Sequence, residues 1–97
     1  MVYKVPYSIS TFVRRMKEHK NVTLDHLKPG QKAKIDTFTD YEMSLKLMEM
    51  GCVPGEIVIL KHIAPLGDPI AISVSGYLLS LRKKEASTII VIVLSED

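Results

Sequence analysis

Apolar residues in the second half of the chain form short runs with the spacing of β-strands. Residues 70–74 alternate apolar with small or polar side chains, as in a strand with one buried face. Residues 57–59 and 77–82 form two further strand-like runs. Residues 89–94 are apolar on both faces, so we expect that strand to be covered on both sides. Together with a run that ends at Ile35, the pattern predicts five short strands.

Helical spacing occurs at three places. Residues 8–20 place their apolar side chains on one stripe, with cations in the last turn, and predict an amphipathic helix. Residues 41–50 show a second stripe. Asp40 can cap that helix, and Gly51 can end it in the left-handed conformation. Residues 83–87 are typical of a single helical turn.

Two Pro-Gly pairs, at residues 29–30 and 54–55, precede strand-like runs and predict similar turns into those strands. Thr23 is a plausible cap for a short turn that runs through Leu27.

Five strands, two such corners and a one-turn helix before the last strand predict a mostly β fold. We expect a small, strongly bent barrel that closes its edges, with one short inserted helix.

The segment A-P-L-G-D-P-I, residues 64–70, is stiffer than a plain hairpin requires. Pro65 suits the first corner of a tight turn, Gly67 tolerates positive φ, and Asp68 is biased toward an extended conformation by the proline after it. Leu66 at the tip has two possible roles. It is either an anchor for a partner on a preformed loop or a side chain that folds back onto the barrel.

The composition fits one small domain. Of the 97 residues, 46% are hydrophobic and 25% are charged. The longest apolar run is too short to span a bilayer, and the N-terminus lacks an apolar signal core, so we expect a soluble, unexported protein. The single cysteine, Cys52, cannot form an internal disulfide, which fits a reducing cytoplasm.

Charge is unevenly distributed along the chain although the net charge is only +2. Residues 1–34 carry eight Lys or Arg against two acids, whereas residues 35–97 carry five against nine. The basic cluster at residues 14–20 could contact nucleic acid, an acidic protein face or anionic lipid. A solvated helix face is the interpretation we favour.

No pattern of catalytic or cofactor-binding residues is found. Cys52 and the histidines at positions 19, 26 and 62 lie on separate predicted elements, so we predict neither an enzyme nor a tight metal site. The glycines are isolated, which argues against a phosphate-binding loop. The chain has two Phe, four Tyr and no Trp, too few for a surface that stacks bases or docks proline-rich peptides. No cofactor is expected.

Several short motifs occur together in the order and spacing of a known family. About residues 23 to 94 resemble the FeoA family, small cytoplasmic SH3-like barrels that accompany the bacterial ferrous iron transporter FeoB. The matching motifs are L-M-E-M-G at residues 47–51, P-G at 54–55, A-P-L-G-D-P-I at 64–70, G-Y at 76–77 and L-R-K-K-E-A at 81–86.

The resemblance implies a non-enzymatic accessory protein of Fe(II) uptake. It would bind the cytoplasmic region of FeoB, modulate transport, and reach the inner membrane only through that partner. On this basis residues 23–97 form the SH3-like FeoA-type domain, and residues 1–22 are a helical extension beyond the family's usual start. The extension either docks a partner or covers apolar surface of the barrel, and we favour the second. Cys52 stands where the family usually has a larger aliphatic residue.

We predict a partner-binding surface on the helix, the second corner and the loop tip, comprising Leu47, Met50, Pro54, Gly55, Leu66, Gly67 and Asp68. The alternative function is a metal-sensing or transcription-related module whose basic N-terminal helix contacts DNA. A related barrel also forms the C-terminal domain of some iron-dependent repressors, so the fold alone does not decide between the two functions.

Overall fold

The computed structural model describes residues 21–95. The helix predicted over residues 8–20 lies outside this range. A 3-10 helix, Leu24–His26, precedes two α-helices, α1 (Tyr41–Glu49) and α2 (Lys83–Ala86). The six strands are β1 (Asn21–Thr23), β2 (Lys32–Phe38), β3 (Ile57–Ile63), β4 (Ile70–Val74), β5 (Tyr77–Leu81) and β6 (Ile89–Ser95).

The strands form one antiparallel sheet in the order β1-β6-β2-β3-β4-β5. Register shifts in the β2–β6 and β3–β4 pairs bend it, because an extra residue on one strand increases the local twist. The prediction that the barrel closes its edges is wrong: within residues 21–95, β1 pairs only with β6 and β5 pairs only with β4. The sixth strand, β1, was also missed.

Alternation within the strands places one face in the core. Burial in β4 follows the pattern predicted for a strand with one buried face. In β6 the inward side chains of Ile89 and Val91 are fully buried, while Ile90 and Ile92 on the other face are half-buried. Cover on both faces, as predicted for this strand, is therefore only partial. The fully buried side chains across the core include Leu24, Ile35, Leu47, Leu60, Ile72 and Leu81.

Helix α1 begins and ends where the sequence predicts. The carboxylate of Asp40 accepts a hydrogen bond of 3.0 Å from the backbone N–H of Met43, which caps the first turn. Gly51 follows the helix with φ +106°, a conformation that L side chains rarely adopt. Both predicted Pro-Gly turns are formed as well. The N–H of Gly30 donates to the carbonyl of Leu60, and the N–H of Gly55 donates to the carbonyl of Ile35.

Candidate functional site

The segment at residues 64–70 forms a tight loop with internal hydrogen bonds. The N–H of Gly67 donates to the carbonyl of Ala64 over 2.7 Å, and the N–H of Ala64 donates to the carbonyl of Pro69 over 3.0 Å. Gly67 has φ +90°, as its position predicts. The Asp68 carboxylate accepts a hydrogen bond of 2.9 Å from the backbone N–H of Lys83. The loop is therefore held at its base and tied to α2.

Leu66 lies at the tip of this loop and is 96% exposed. It is the most exposed of the large hydrophobic side chains in the part of the chain that the structure describes. Leu66 does not fold back onto the barrel. Of the two roles considered for it, that of an anchor for a partner is the one compatible with this exposure. A leucine held in solvent by a stiff loop loses little conformational freedom when it enters a partner's pocket.

Two residues of the predicted surface, Leu47 in α1 and Met50 at its C-terminal cap, lie in different environments. Leu47 is fully buried and belongs to the hydrophobic core, so its side chain offers no surface to a partner while the domain is folded. Met50 is half-buried and packs against the core at its edge. The helical stripe that includes both residues therefore faces mainly inward, because α1 needs an apolar face to cover the bent sheet.

An open groove separates the C-terminal half of α1 from strand β5. It has a volume of about 670 Å3 and is lined by Lys46, Met50, Asp68, Pro69, Ser80, Arg82 and Glu85. We call this feature the α1–β5 groove. It contains two residues of the predicted surface, Met50 and Asp68, and it adjoins the loop that carries Leu66.

Two hydrogen bonds hold the walls of the α1–β5 groove at its two ends. At one end the Tyr77 hydroxyl donates to the carbonyl of Met50 over 2.6 Å. At the other end the Lys46 ammonium donates to the Glu85 carboxylate over 2.7 Å. Lys46 is thus joined to α2, which follows β5, and Met50 to Tyr77, the first residue of β5. The groove lies between these two bonds and is open to solvent.

Glu85 is the most strongly bound charge in the groove. Its side chain is only 10% exposed, and its other oxygen accepts a hydrogen bond of 3.0 Å from the backbone N–H of Arg82. The hydrogen bond from Lys46, followed by the one from Arg82, lowers the pKa of Glu85 below its usual value, against the opposing effect of burial. The carboxylate is therefore ionised at neutral pH and serves to join α1 to α2.

Cys52 lies in the core as a free thiol. Its side chain is fully buried. Burial, together with the negative charge of Glu85, raises the pKa of the thiol to about 11. At neutral pH the residue is a protonated thiol without access to solvent, and it behaves as a small hydrophobic side chain.

The remaining predicted residues, Pro54 and Gly55, are exposed at the corner before β3 and do not line the α1–β5 groove. Sequence reasoning missed three charged residues of the groove, Lys46, Arg82 and Glu85. Lys46 and Glu85 are 39 positions apart, and no local pattern connects them. Two signals were available: Lys46 lies one helical turn before Met50, and Arg82 and Glu85 belong to the L-R-K-K-E-A motif at residues 81–86.

Within residues 21–95, no cluster of three or more His, Cys, Asp or Glu side chains has the arrangement needed to hold a metal ion. No helix in that range is long and apolar enough to cross a membrane. The described residues present an exposed apolar loop tip and a polar groove at the surface.

Comparison with known proteins gives a consistent result. The family model for the FeoA domain matches residues 22–93. A FeoA-like protein from Clostridium acetobutylicum is 39% identical with a TM-score of 0.75, covering 80% of this chain and 92% of that one. A zinc-complexed FeoA from Stenotrophomonas maltophilia, described as a prokaryotic SH3 domain protein, is 28% identical with a TM-score of 0.64, covering 72% and 88%. No curated protein sequence matches the chain.

A manganese-dependent transcriptional repressor shares the fold only. It is 15% identical with a TM-score of 0.70, and the match covers 76% of this chain and 37% of the repressor. Similarity at this level of identity carries no information about function.

Proposed function

The chain belongs to the FeoA family of ferrous iron transport proteins, and from this we propose that it binds the cytoplasmic region of the FeoB transporter and modulates transport without catalysing a reaction of its own. The fold is SH3-like, as expected, and is an incomplete barrel. We place the protein in the cytoplasm, where it reaches the inner membrane through its partner.

The observation that carries this proposal is the exposure of Leu66. A solvent-exposed leucine at the tip of a loop that two internal hydrogen bonds stiffen has no role in the stability of the domain. Its placement is explained if it enters an apolar pocket of another protein. An apolar anchor buried at an interface contributes roughly 1–3 kcal/mol to binding, which is about tenfold to a hundredfold in affinity.

The proposed contact surface consists of the loop tip, Leu66–Asp68, with Met50, Pro54 and Gly55 as further members. Leu47 contributes indirectly, since its burial holds α1 in place. Asp68 of the loop and Met50, just after α1, both line the α1–β5 groove. The presence of both an apolar tip and a polar groove on one side suits a protein partner better than a small molecule.

The test compares Leu66→Ala with Leu45→Ala, a matched truncation of an exposed leucine on α1 that is 48% exposed and outside the proposed surface. Affinity of the full chain for the purified cytoplasmic region of FeoB is measured by calorimetry, and GTP hydrolysis by that region is followed in parallel. We expect Leu66→Ala to weaken binding at least tenfold and Leu45→Ala to leave it unchanged.

Three results would contradict the proposal. If the wild-type protein does not bind the FeoB region, the proposed interaction is wrong. If Leu66→Ala binds the FeoB region as tightly as wild type does, Leu66 is not the anchor of that interaction. Salt-dependent DNA binding that is lost on deleting residues 1–20, with no FeoB binding, would favour the transcription-related alternative.

A further inference from the structure

The sheet has a second face, opposite the one on which both α-helices pack. In the central strands the side chains of Ile35, Val58 and Val91 point into the core. Leu47 of α1 and Ala86 of α2 belong to the same core. The strand residues that alternate with these point the other way, and we call the surface they form the outer face. Because the sheet bends around the core, the outer face is convex.

Strand register places two adjacent rows of side chains on the outer face. Residues directly opposite each other in neighbouring strands point to the same side, so each row can be followed across the sheet. The first row is Asn21, Ile92, Lys34 and Ile57, and the second is Lys32, Ile59, Ser73 and Leu78.

The outer face carries aliphatic side chains in neighbouring positions. Ile57 and Leu78 are exposed, and Ile59 and Ile92 are half-buried. Leu94, two residues beyond Ile92 on β6, is exposed as well. A single exposed aliphatic residue is common on protein surfaces, but contiguous apolar surface is typical of a place of contact with another molecule.

The charged side chains within the two rows are both cationic. Lys32 and Lys34 stand between aliphatic neighbours, and neither forms an ion pair within residues 21–95. The nearest carboxylates along β2 and β3 lie outside the rows. Asp36 is at the register shift of β2, and Glu56, just before β3, accepts a hydrogen bond of 2.9 Å from the Ser75 hydroxyl. The rows therefore complement an anionic surface.

The outer face accounts for part of the uneven charge of the sequence. Residues 1–34 carry eight Lys or Arg against two acids, and Lys32 and Lys34 belong to that surplus. Asn21 stands at the end of the first row, and the basic cluster at residues 14–20 immediately precedes it. The cluster is therefore attached to the sheet at the edge of the outer face, and both have the charge that attracts one anionic surface.

Anionic lipid fits this combination better than other partners do. Single-stranded nucleic acid binds through bases that stack on aromatic residues, and neither row contains one. A second copy of the chain would bring lysines against lysines. A convex face has no groove for a peptide. At a membrane surface, aliphatic side chains enter the acyl boundary while lysine ammonium groups extend to the headgroup phosphates.

We propose that the outer face binds the surface of a membrane that contains anionic lipid. Lys32 and Lys34 contact headgroup phosphates, and Ile57 and Leu94 contact the acyl boundary. Each lysine near such a surface contributes about fivefold in affinity, so the adsorption is reversible and sensitive to salt. The inference goes beyond the proposed function, because it concerns a different face from the loop tip and gives the chain a membrane contact of its own.

The first experiment measures sedimentation of the full chain with vesicles of phosphatidylcholine, with and without one-quarter phosphatidylglycerol. We expect binding to the anionic vesicles to be at least tenfold tighter and to weaken with salt. Replacing both Lys32 and Lys34 by glutamate should weaken it at least tenfold. The matched control replaces Lys83 and Lys84, exposed on α2, by glutamate. It makes the same change in net charge and should weaken binding less than threefold.

A second experiment locates the apolar contact. Leu94→Cys is compared with Leu45→Cys, because both leucines are 48% exposed and Leu45 lies on α1. Each variant is labelled with a polarity-sensitive fluorophore, and Cys52, which is fully buried, does not compete for the label. With anionic vesicles the emission at position 94 should move to shorter wavelength, and that at position 45 should not. No change at position 94 would overturn the proposed contact.

Three other results would contradict the inference. If the wild-type chain binds both kinds of vesicle equally, or binds neither, the outer face has no affinity for anionic lipid. If the double lysine variant binds anionic vesicles as wild type does, the basic cluster at residues 14–20 makes the contact without the outer face. Equal affinity for polyglutamate or for duplex DNA, lost with the same variant, would assign the outer face to an acidic protein or to nucleic acid.

The purified cytoplasmic region of FeoB, measured without lipid, separates this inference from the proposed function. Leu66→Ala should lose affinity for that region and bind vesicles as wild type does, whereas the double lysine variant should do the reverse. If FeoB binding is absent but vesicle binding is as expected, the proposed function is wrong and the membrane contact stands. If the double lysine variant loses FeoB binding and the wild-type chain does not bind vesicles, the outer face belongs to the protein partner.

Discussion

Replacing Gly51 by alanine should disrupt the junction between α1 and β5 in a way that a double-mutant cycle can resolve. A Cβ at Gly51 would overlap the Tyr77 hydroxyl oxygen, well inside van der Waals contact. Gly51→Ala therefore displaces Tyr77 and breaks its hydrogen bond to Met50. It also places an L side chain at φ +106°.

The expected loss of stability follows from these two effects. Backbone strain at such a φ costs about 1–3 kcal/mol, and a lost hydrogen bond costs about 0.5–1.5 kcal/mol. Gly51→Ala should therefore lower the free energy of unfolding by about 2–4 kcal/mol, and Tyr77→Phe by about 1 kcal/mol. Because the double variant loses the hydrogen bond only once, it should be more stable than the sum of the single changes predicts, by about 1 kcal/mol.

Urea denaturation followed by far-UV circular dichroism measures all four proteins. Gly55→Ala is the matched control, because Gly55 has φ +97° and an added Cβ there would contact nothing within 4 Å. It should show the backbone strain alone and no coupling to Tyr77→Phe. Additivity of Gly51→Ala and Tyr77→Phe within about 0.3 kcal/mol would refute the contact between these two residues.

Three further predictions concern the core, the groove and the loop. Cys52 in the folded protein should react with iodoacetamide at pH 8 far more slowly than in unfolded protein, because the thiol is buried and its pKa is raised to about 11. Labelling of the folded protein at the rate of the unfolded protein would contradict this. Because the pKa of Glu85 is lowered in the folded protein, its contribution to stability is present above about pH 4.5 and is lost as the pH falls through the folded-state pKa. Lys46→Gln removes the main cause of that shift, so calorimetric scans should show less acid-induced destabilisation for this variant than for wild type. Leu66→Ala should change the free energy of unfolding by no more than about 0.5 kcal/mol, and a loss above about 2 kcal/mol would show that Leu66 packs in the core.

Features of the fold that depend on local chemistry could be predicted from the sequence. Asp40 caps α1, Gly51 ends it, and residues 83–86 form one helical turn, each through contacts within a few positions. β1 could not be predicted in this way. Its three residues have no periodicity of their own, and they become a strand only because Val22 lies opposite Val91 of β6, far along the chain.

The same distinction explains the outcome for the site. The stiffness of the loop follows from its prolines and Gly67, which act locally. Those residues do not decide whether Leu66 points into solvent or folds back onto the barrel, and only the structure shows that it is exposed. Helical spacing groups Leu47 with Met50 on one stripe, but spacing does not say whether that stripe faces the core or a partner. The bond between Lys46 and Glu85 depends on how α1 packs, and it has no signature in either segment.

Helix α2 connects the loop to the groove, although it is only four residues long. The backbone N–H of Lys83 holds Asp68 of the loop, and Glu85 holds Lys46 of α1. The loop and α1 are therefore both positioned by residues of one short helix. A partner that binds both Leu66 and the α1–β5 groove would meet two contacts whose spacing is set before binding. Since little ordering is needed on association, modest contacts at each place can combine into a specific interaction.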